Sequence, residues 1–237
     1  MLEKLSIIIP CYNEENLIGK VIDSVVQARL GYEIEKEIII VDDGSNDRTT
    51  VVIEEYARRT PGIIVCRHPT NSGKGTSIKT GLAQATGTII LVQDSDLEYD
   101  PADYPKLLQP IMDGHADVVY GSRFTGNGPH RVLFYFHTLG NKFLTSLSNL
   151  FTQLNLTDME TGYKMFRSEV LRKITLEEKR FGFEPEVTAK ISRIPGIRIY
   201  ETGIAYYGRT YNDGKKINWQ DGFRAIYCII KYNLFSR

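Results

Sequence analysis

Along the first half of the chain, short apolar, β-branched runs alternate with stretches whose apolar positions recur at helical spacing. The runs at residues 5–10, 37–41, 63–67, 88–93 and 118–121 predict strands, and residues 14–28, 48–59, 74–85 and 102–112 predict helices. Strand–helix alternation of this kind predicts βαβ units and a mostly parallel sheet covered on both faces, an α/β fold. After residue 122 the alternation loosens. Residues 123–131 are rich in Gly, Asn and Pro and predict a mobile loop, and residues 132–151 predict a helix with many aromatics. A helix over 186–193 and a strand over 198–204 follow. From Trp219 to the end, apolar Trp219, Phe223, Ile226, Tyr227 and Ile230 with Arg224 and Lys231 among them predict an amphipathic helix. Two readings of it stand: packing onto its own domain or a second subunit, or contact with a membrane surface.

Several strand-like runs end in polar loops: Pro10-Cys11-Tyr12-Asn13-Glu14, Asp42-Asp43-Gly44-Ser45, and Gln93-Asp94-Ser95-Asp96. Ligands of open α/β sheets bind beyond the carboxyl ends of the strands, so these loops are expected to converge on one crevice.

Composition narrows the classes. Among 237 residues, 29 Lys and Arg balance 29 Asp and Glu, so no global basic field recruits nucleic acid or an anionic membrane. The widely spaced Cys11, Cys66 and Cys228 lack metal-ligand spacing and suit a reducing compartment. No signal peptide is apparent, and no apolar run approaches the roughly 20 residues of a membrane helix. The expectation is a cytoplasmic protein.

Three constellations carry chemistry. Asp94 and Asp96, at i and i+2, project to one side if the extended backbone continues, and such carboxylates repel unless a hard cation joins them. Asp42 and Asp43 end a strand, where a carboxylate can accept hydrogen bonds from a ribose or base edge; an Asx-turn with Asn46 or Asp47 capping the next helix is equally consistent. Lys74 lies between glycines before a helix, which offers a cation and a helix N-terminus to an anion, without the spacing of a P-loop.

In succession the chain reads LSIIIPCYNEE, IIIVDDGSNDRT, NSGKGTSIKTGLAQATGTIILVQDSDLEYDP and VVYGSRF. This resembles family 2 glycosyltransferases of the GT-A fold, and within them the dolichol-phosphate mannose synthase and polyprenyl-phosphate glycosyltransferase group. The resemblance continues more weakly through TDMETGYK and YYGRTYNDGKKINWQDG.

It implies a catalytic domain over residues 1–212, with a nucleotide-sugar half to about 122 and an acceptor half from about 123, and an amphipathic tail over 213–237. Pro10, Tyr12, Glu14, Asp42, Lys74, Gln93 and Asp94 would meet a GDP- or UDP-linked sugar. Asp94 and Asp96, with Glu98 where relatives often carry Gln, would hold Mg²⁺ or Mn²⁺. Arg123 and Arg131 would meet phosphate near the reaction centre, and Lys164, Arg209 and Lys215 an acceptor phosphate. The implied reaction is inverting transfer to a polyprenyl phosphate, reached by peripheral association or through a membrane partner, with a homo-oligomer open.

An already ionised phosphate acceptor needs no strong base. A hydroxyl acceptor needs one, for which Asp158 and Glu160 are candidates. A sugar-nucleotide pyrophosphorylase would open with a Gly-rich basic loop, unlike PCYNEEN. A non-catalytic nucleotide-sugar-binding subunit is disfavoured by the retained Asp94, Asp96, Lys74 and Arg123.

Overall fold

The computed structural model describes residues 3–126, 132, 134–208 and 219–235. Strand β1 (Lys4–Cys11) buries every position after its first. β2 (Glu35–Asp42), β3 (Ile63–Arg67) and β4 (Ile89–Val92) lie parallel with it through β1–β2, β2–β3 and β1–β4 pairing. Strands this apolar on both sides require cover on both faces. The pleat divides them: Leu5, Ile7 and Ile9 enter one core, and Ile8 the other. Each such isoleucine contributes roughly 1.5–3 kcal/mol on burial.

The first face is covered by α1 (Ile18–Gln27), α2 (Thr49–Arg59) and α4 (Tyr104–Met112), through Val21, Ile22, Val25, Ile53, Leu107 and Leu108. On the second lie α3 (Lys74–Gln84), α5 (Tyr135–Thr152), α6 (Ser168–Arg172) and α7 (Phe183–Ile191), which contribute Ile78, Leu144, Leu171 and Val187.

The sheet order is β3-β2-β1-β4-β6-β5-β7, with β5 at Val118–Ser122, β6 at Lys164–Arg167 and β7 at Ile199–Gly203. The periodicity anticipates β7 but not β6, whose Lys-Met-Phe-Arg is too short and too polar at its ends to read as a strand. β6 runs antiparallel to both β4 and β5 and joins the later part of the chain to the first four strands in one sheet. The predicted first helix begins later, at Ile18, because residues 12–17 form a loop in which Asn13 takes a positive φ of 50°.

The amphipathic tail forms α8 (Trp219–Ile230) and a turn of π-helix at Lys231–Phe235. It packs against α5 and α7 and buries Ala225, Cys228, Ile229 and Tyr232. Among the described residues, no helix is long and apolar enough to cross a membrane.

Candidate active site

The polar loops at the strand ends do converge, and hydrogen bonds between them show why. The β1–α1 loop is tied to the β2–α2 loop: Asp43 N donates to the Cys11 carbonyl at 2.8 Å, Asn13 N to Ser45 Oγ at 3.0 Å, and Asn46 N to Asn13 Oδ1 at 3.0 Å. Glu14 N donates to Thr49 Oγ1 at 2.8 Å. Pro10 and Glu14 are buried in this seam, and Tyr12 is half-buried beside it. Asp42 is fully buried beneath the loop, its carboxylate accepting from Ser45 N at 3.0 Å and from the Thr50 hydroxyl. Asp47 makes an Asx-turn just before the N-cap residue of α2, Arg48, accepting from Thr49 N at 2.9 Å.

Asp43, which the sequence pairs with Asp42 as a candidate ribose or base contact, instead shapes the next loop. Its carboxylate accepts from Ser72 N at 2.9 Å and Gly73 N at 2.7 Å, and His68 Nδ1 lies 2.6 Å away. Gly73 stands at φ 96° with the Lys179 carbonyl against its Cα, so a side chain here meets both strain and a clash. The result is a fixed start for α3 and a fixed origin for Lys74.

Lys74 Nζ lies 2.8 Å from Asp94 Oδ1 and 3.0 Å from Glu184 Oε1 of α7. Burial works against the ammonium, but these two carboxylates outweigh it and hold the Lys74 pKa well above the ordinary lysine value. Glu184 was not singled out in the sequence. Its only local signal is an acid in the first turn of a helix, a common capping preference.

The extended backbone does not continue through the acidic stretch. β4 ends at Val92, residues 95–96 turn, and Leu97 takes φ 60°. Asp96 Oδ1 accepts from Glu98 N at 3.2 Å, while Glu98 Oε2 accepts from the Tyr206 hydroxyl at 2.9 Å. Among the described residues no three His, Cys, Asp or Glu side chains gather as a metal-binding group. The expected trio of Asp94, Asp96 and Glu98 is therefore not assembled, because the turn aims Glu98 at Tyr206.

Asp94 and Asp96 alone remain a fitting donor pair, since both are half-buried carboxylates, and Mg²⁺ or Mn²⁺ takes one or two protein carboxylates with phosphate and water. Gly162 packs against Asp94, where an added Cβ would lie 2.3 Å from Oδ2, so no larger residue fits there with Asp94 in this position.

Gln93 does not join the group. It is buried, and its Oε1 accepts from Tyr104 Oη at 2.8 Å and Tyr163 Oη at 2.7 Å.

On the far side, Arg123 and Asp158 form a two-pronged ion pair, Nε to Oδ2 and Nη2 to Oδ1 both at 2.7 Å, and Arg123 N adds a bond at 3.1 Å. The guanidinium also sits over the Tyr206 ring, 5.2 Å from its centroid. Asp158 thus spends both oxygens orienting Arg123.

Lys164 is fully buried in β6, donates to the Thr161 carbonyl and faces the Tyr120 ring at 5.0 Å, which removes it from reach of an acceptor in this arrangement. Burial pushes its ammonium below the ordinary value despite Glu184 and Glu160. Glu160 Oε1 is buried without a hydrogen-bond partner. Burial, then the charge of Glu184, push this carboxyl up to about 7, against the pull of Lys164 and Arg123. Arg131, Arg209 and Lys215 lie outside the described residues.

A mostly parallel sheet with an Asp-x-Asp turn after β4, and a lysine brought to that turn from the preceding helix, is the GT-A architecture of nucleotide-sugar transferases. The sequence profile of glycosyl transferase family 2 matches residues 6–175, and the chain belongs to that family: it is a glycosyltransferase.

It is 29% identical to the dolichyl-phosphate beta-glucosyltransferase ALG5A of Trichomonas vaginalis, over 98% of this chain and 74% of that one. It is 27% identical to the dolichol-phosphate mannosyltransferase of Pyrococcus furiosus, over 97% of this chain and 64% of the other. In fold it matches the glucosyl-3-phosphoglycerate synthase of Mycobacterium tuberculosis, solved with Mn²⁺, UDP and phosphoglyceric acid, at a TM-score of 0.74 and 20% identity over 98% of this chain and 79% of that one.

Proposed function

We propose that this glycosyltransferase moves a sugar, with inversion, from a nucleoside diphosphate to a polyprenyl phosphate, and that Asp94 and Asp96 hold the Mg²⁺ or Mn²⁺ it requires. The observation that carries the reading is Lys74, suspended between Asp94 and Glu184 beside the acidic turn. A bound divalent ion would supply charge neutralisation for the diphosphate leaving group. Lys74 brings a second, fixed positive charge to the same place, where a preorganised charge stabilises the departing diphosphate without reorganising. Tyr12, half-buried on the β1–α1 loop, forms the wall against which the nucleoside rests, and Pro10, Glu14 and Asp42 support that loop from beneath.

Arg123, its plane set by Asp158, meets the acceptor phosphate. An oxygen of that phosphate forms the new bond to the anomeric carbon as the bond to the nucleoside diphosphate breaks, and the electron pair leaves on the diphosphate. The acceptor is already ionised at neutral pH, so no side chain has to remove a proton. The dolichyl- and dolichol-phosphate transferases among the relatives support this acceptor.

The test incubates the protein with Mg²⁺ or Mn²⁺ and a panel of nucleotide sugars, with and without short-chain polyprenyl phosphates. Nucleoside diphosphate release is expected only with metal and lipid phosphate together, and Asp96→Ala is expected to abolish it. Release that survives Asp96→Ala overturns the metal assignment.

One observation favours a second reading, transfer to a hydroxyl. Glu160 has a buried, unpartnered Oε1 and a pKa pushed up to about 7, the properties of a general base, whereas Asp158 is committed to Arg123. Under that reading Glu160→Gln stops turnover; under the leading one it leaves transfer to lipid phosphate within a few fold.

A further inference from the structure

Helix α5 is apolar on both sides. Its inner side packs Leu144, Leu147 and Phe151 onto the core around the buried Asn141, Thr145 and Ser148, while its exposed positions include Phe134 just before it, then Tyr135, Phe136, Leu139, Phe143 and Leu150. Phe136 is 82% exposed and Phe134 72%. The buried polar groups are satisfied inside the protein: Met159 N donates to Thr145 Oγ1 at 3.2 Å, and Thr145 Oγ1 to Asn141 Oδ1 at 3.3 Å. A helix whose outer face met only water would be polar there, and that of α5 is not.

The neighbouring α8 continues the pattern. Beyond its buried Ala225, Cys228 and Ile229 it exposes Phe223 and Tyr227, and the turn after it exposes Leu234 and Phe235. Scattered apolar residues on a surface are ordinary, but a run of aromatics on two adjacent helices marks an interaction surface.

Charge identifies the partner. Between Asp117 and Asp158 the sequence holds no acidic residue, though the whole chain has 29, and beyond Arg123, which is paired with Asp158, the same interval carries Arg131 and Lys142. α5 itself has Lys142 and His137 and no carboxylate. The aromatic, acid-free face of α5 matches an anionic lipid surface: the rings enter the headgroup–acyl boundary while the cations meet lipid phosphates.

We propose that the exposed faces of α5 and α8 together dock the enzyme on an anionic bilayer, with α5 supplying most of the buried apolar area. The inference deepens the polyprenyl-phosphate reading and rests on it for its purpose. Asp158, which orients the acceptor-phosphate residue Arg123 of that reading, is followed by Met159, whose N donates to Thr145 of α5, so the docked helix is tied to the segment that holds that pair.

The test uses the full chain and sucrose-loaded vesicles of phosphatidylcholine alone or with 30% phosphatidylglycerol (about the anionic content that sets a surface potential), with no nucleotide sugar and no polyprenyl phosphate. The wild type is expected to sediment with the anionic vesicles, less with the neutral ones, and less again in high salt. Phe136→Glu with Phe143→Glu is expected to lower the bound fraction about tenfold or more. The same variant should keep the wild-type Tm, and its transfer to a water-soluble short-chain polyprenyl phosphate should stay within about twofold.

Wild type that stays in the supernatant with both vesicle types overturns the proposal. So does binding that the double variant leaves unchanged. A concentration-dependent dimer that the variant dissociates, without vesicle binding, assigns the face to a second copy instead and also overturns it. Because the vesicle assay contains neither substrate, its failure is distinct from a failure to transfer sugar to lipid phosphate.

Discussion

Glu37 and Glu160 are carboxylates placed at opposite ends of the same sheet, and their surroundings drive them in opposite directions. Glu37 lies near the amino ends of the strands, where it accepts from the Ser6 hydroxyl, from Thr86 N at 2.7 Å, Thr86 Oγ1 at 2.9 Å and Gly87 N at 3.1 Å, with Lys4 Nζ at 2.7 Å. Burial alone would raise its pKa, but Lys4, Ser6 and Thr86 outweigh it and hold it down at about 2. Glu160, at the carboxyl ends, has an oxygen with no partner and is pushed up to about 7 by burial and by Glu184. The amino-end cluster is saturated and serves stability. At the carboxyl end the charges of Lys74, Asp94, Glu184, Glu160 and Lys164 are incompletely balanced, as suits a region that receives charged ligands.

The largest expected effect breaks the functional end. Lys74→Met should lower turnover at least about 100-fold, the scale of losing one preorganised transition-state charge. Steady-state diphosphate release by a variant with wild-type circular dichroism checks it, and a loss of under about fivefold would remove Lys74 from the donor site.

Glu37→Gln is next, and it should act on stability alone. Because the folded pKa lies below the ordinary 4.5, the contribution of Glu37 is fully present above that value and fades as pH falls toward about 2. Urea unfolding should therefore give the variant a deficit of about 2–3 kcal/mol at pH 7 that shrinks by pH 3, with turnover per folded molecule unchanged.

Glu160→Gln should show the opposite sign. A raised folded pKa favours the protonated native state, so the wild type loses stability as pH rises from about 4.5 to about 7. The variant should match the wild type in acid and exceed it above pH 7, by on the order of 1 kcal/mol. Equal stability at pH 8 would mean that Glu160 is not strained.

Tyr206→Phe is the mildest probe. It removes the bond to Glu98 at 2.9 Å and should cost about 1 kcal/mol of stability. If Glu98 stays outside the metal site, the Mn²⁺ concentration for half-maximal activity should move less than about threefold; a larger move would bring Glu98 back as a ligand.

The paired residues of the site illustrate what could be read in advance and what could not. Asp42 and Asp43 are adjacent and chemically identical, and both end an apolar strand. Alternation sends Asp42 under its own loop to Ser45 and Thr50, and frees Asp43 to organise the Lys74 loop from a different strand. Lys164 and Lys74 were both expected to meet phosphate; one sits in a central strand without exposure and the other beside the acidic turn.

By itself the sequence determined the strand–helix alternation, the polar loops at the strand ends and the Asp-x-Asp stretch, though not the turn it makes, because apolar runs and helical spacing act over a few neighbouring positions. Tertiary structure alone decided the insertion of β6, the bridge from Lys74 to Glu184, the diversion of Glu98 and Gln93 to tyrosines, and the outward turn of the α5 aromatics. Each of these depends on groups distant in the chain, 110 positions apart for Lys74 and Glu184. A periodic pattern states that a helix has an apolar stripe, while only the packing of its neighbours decides which stripe faces in.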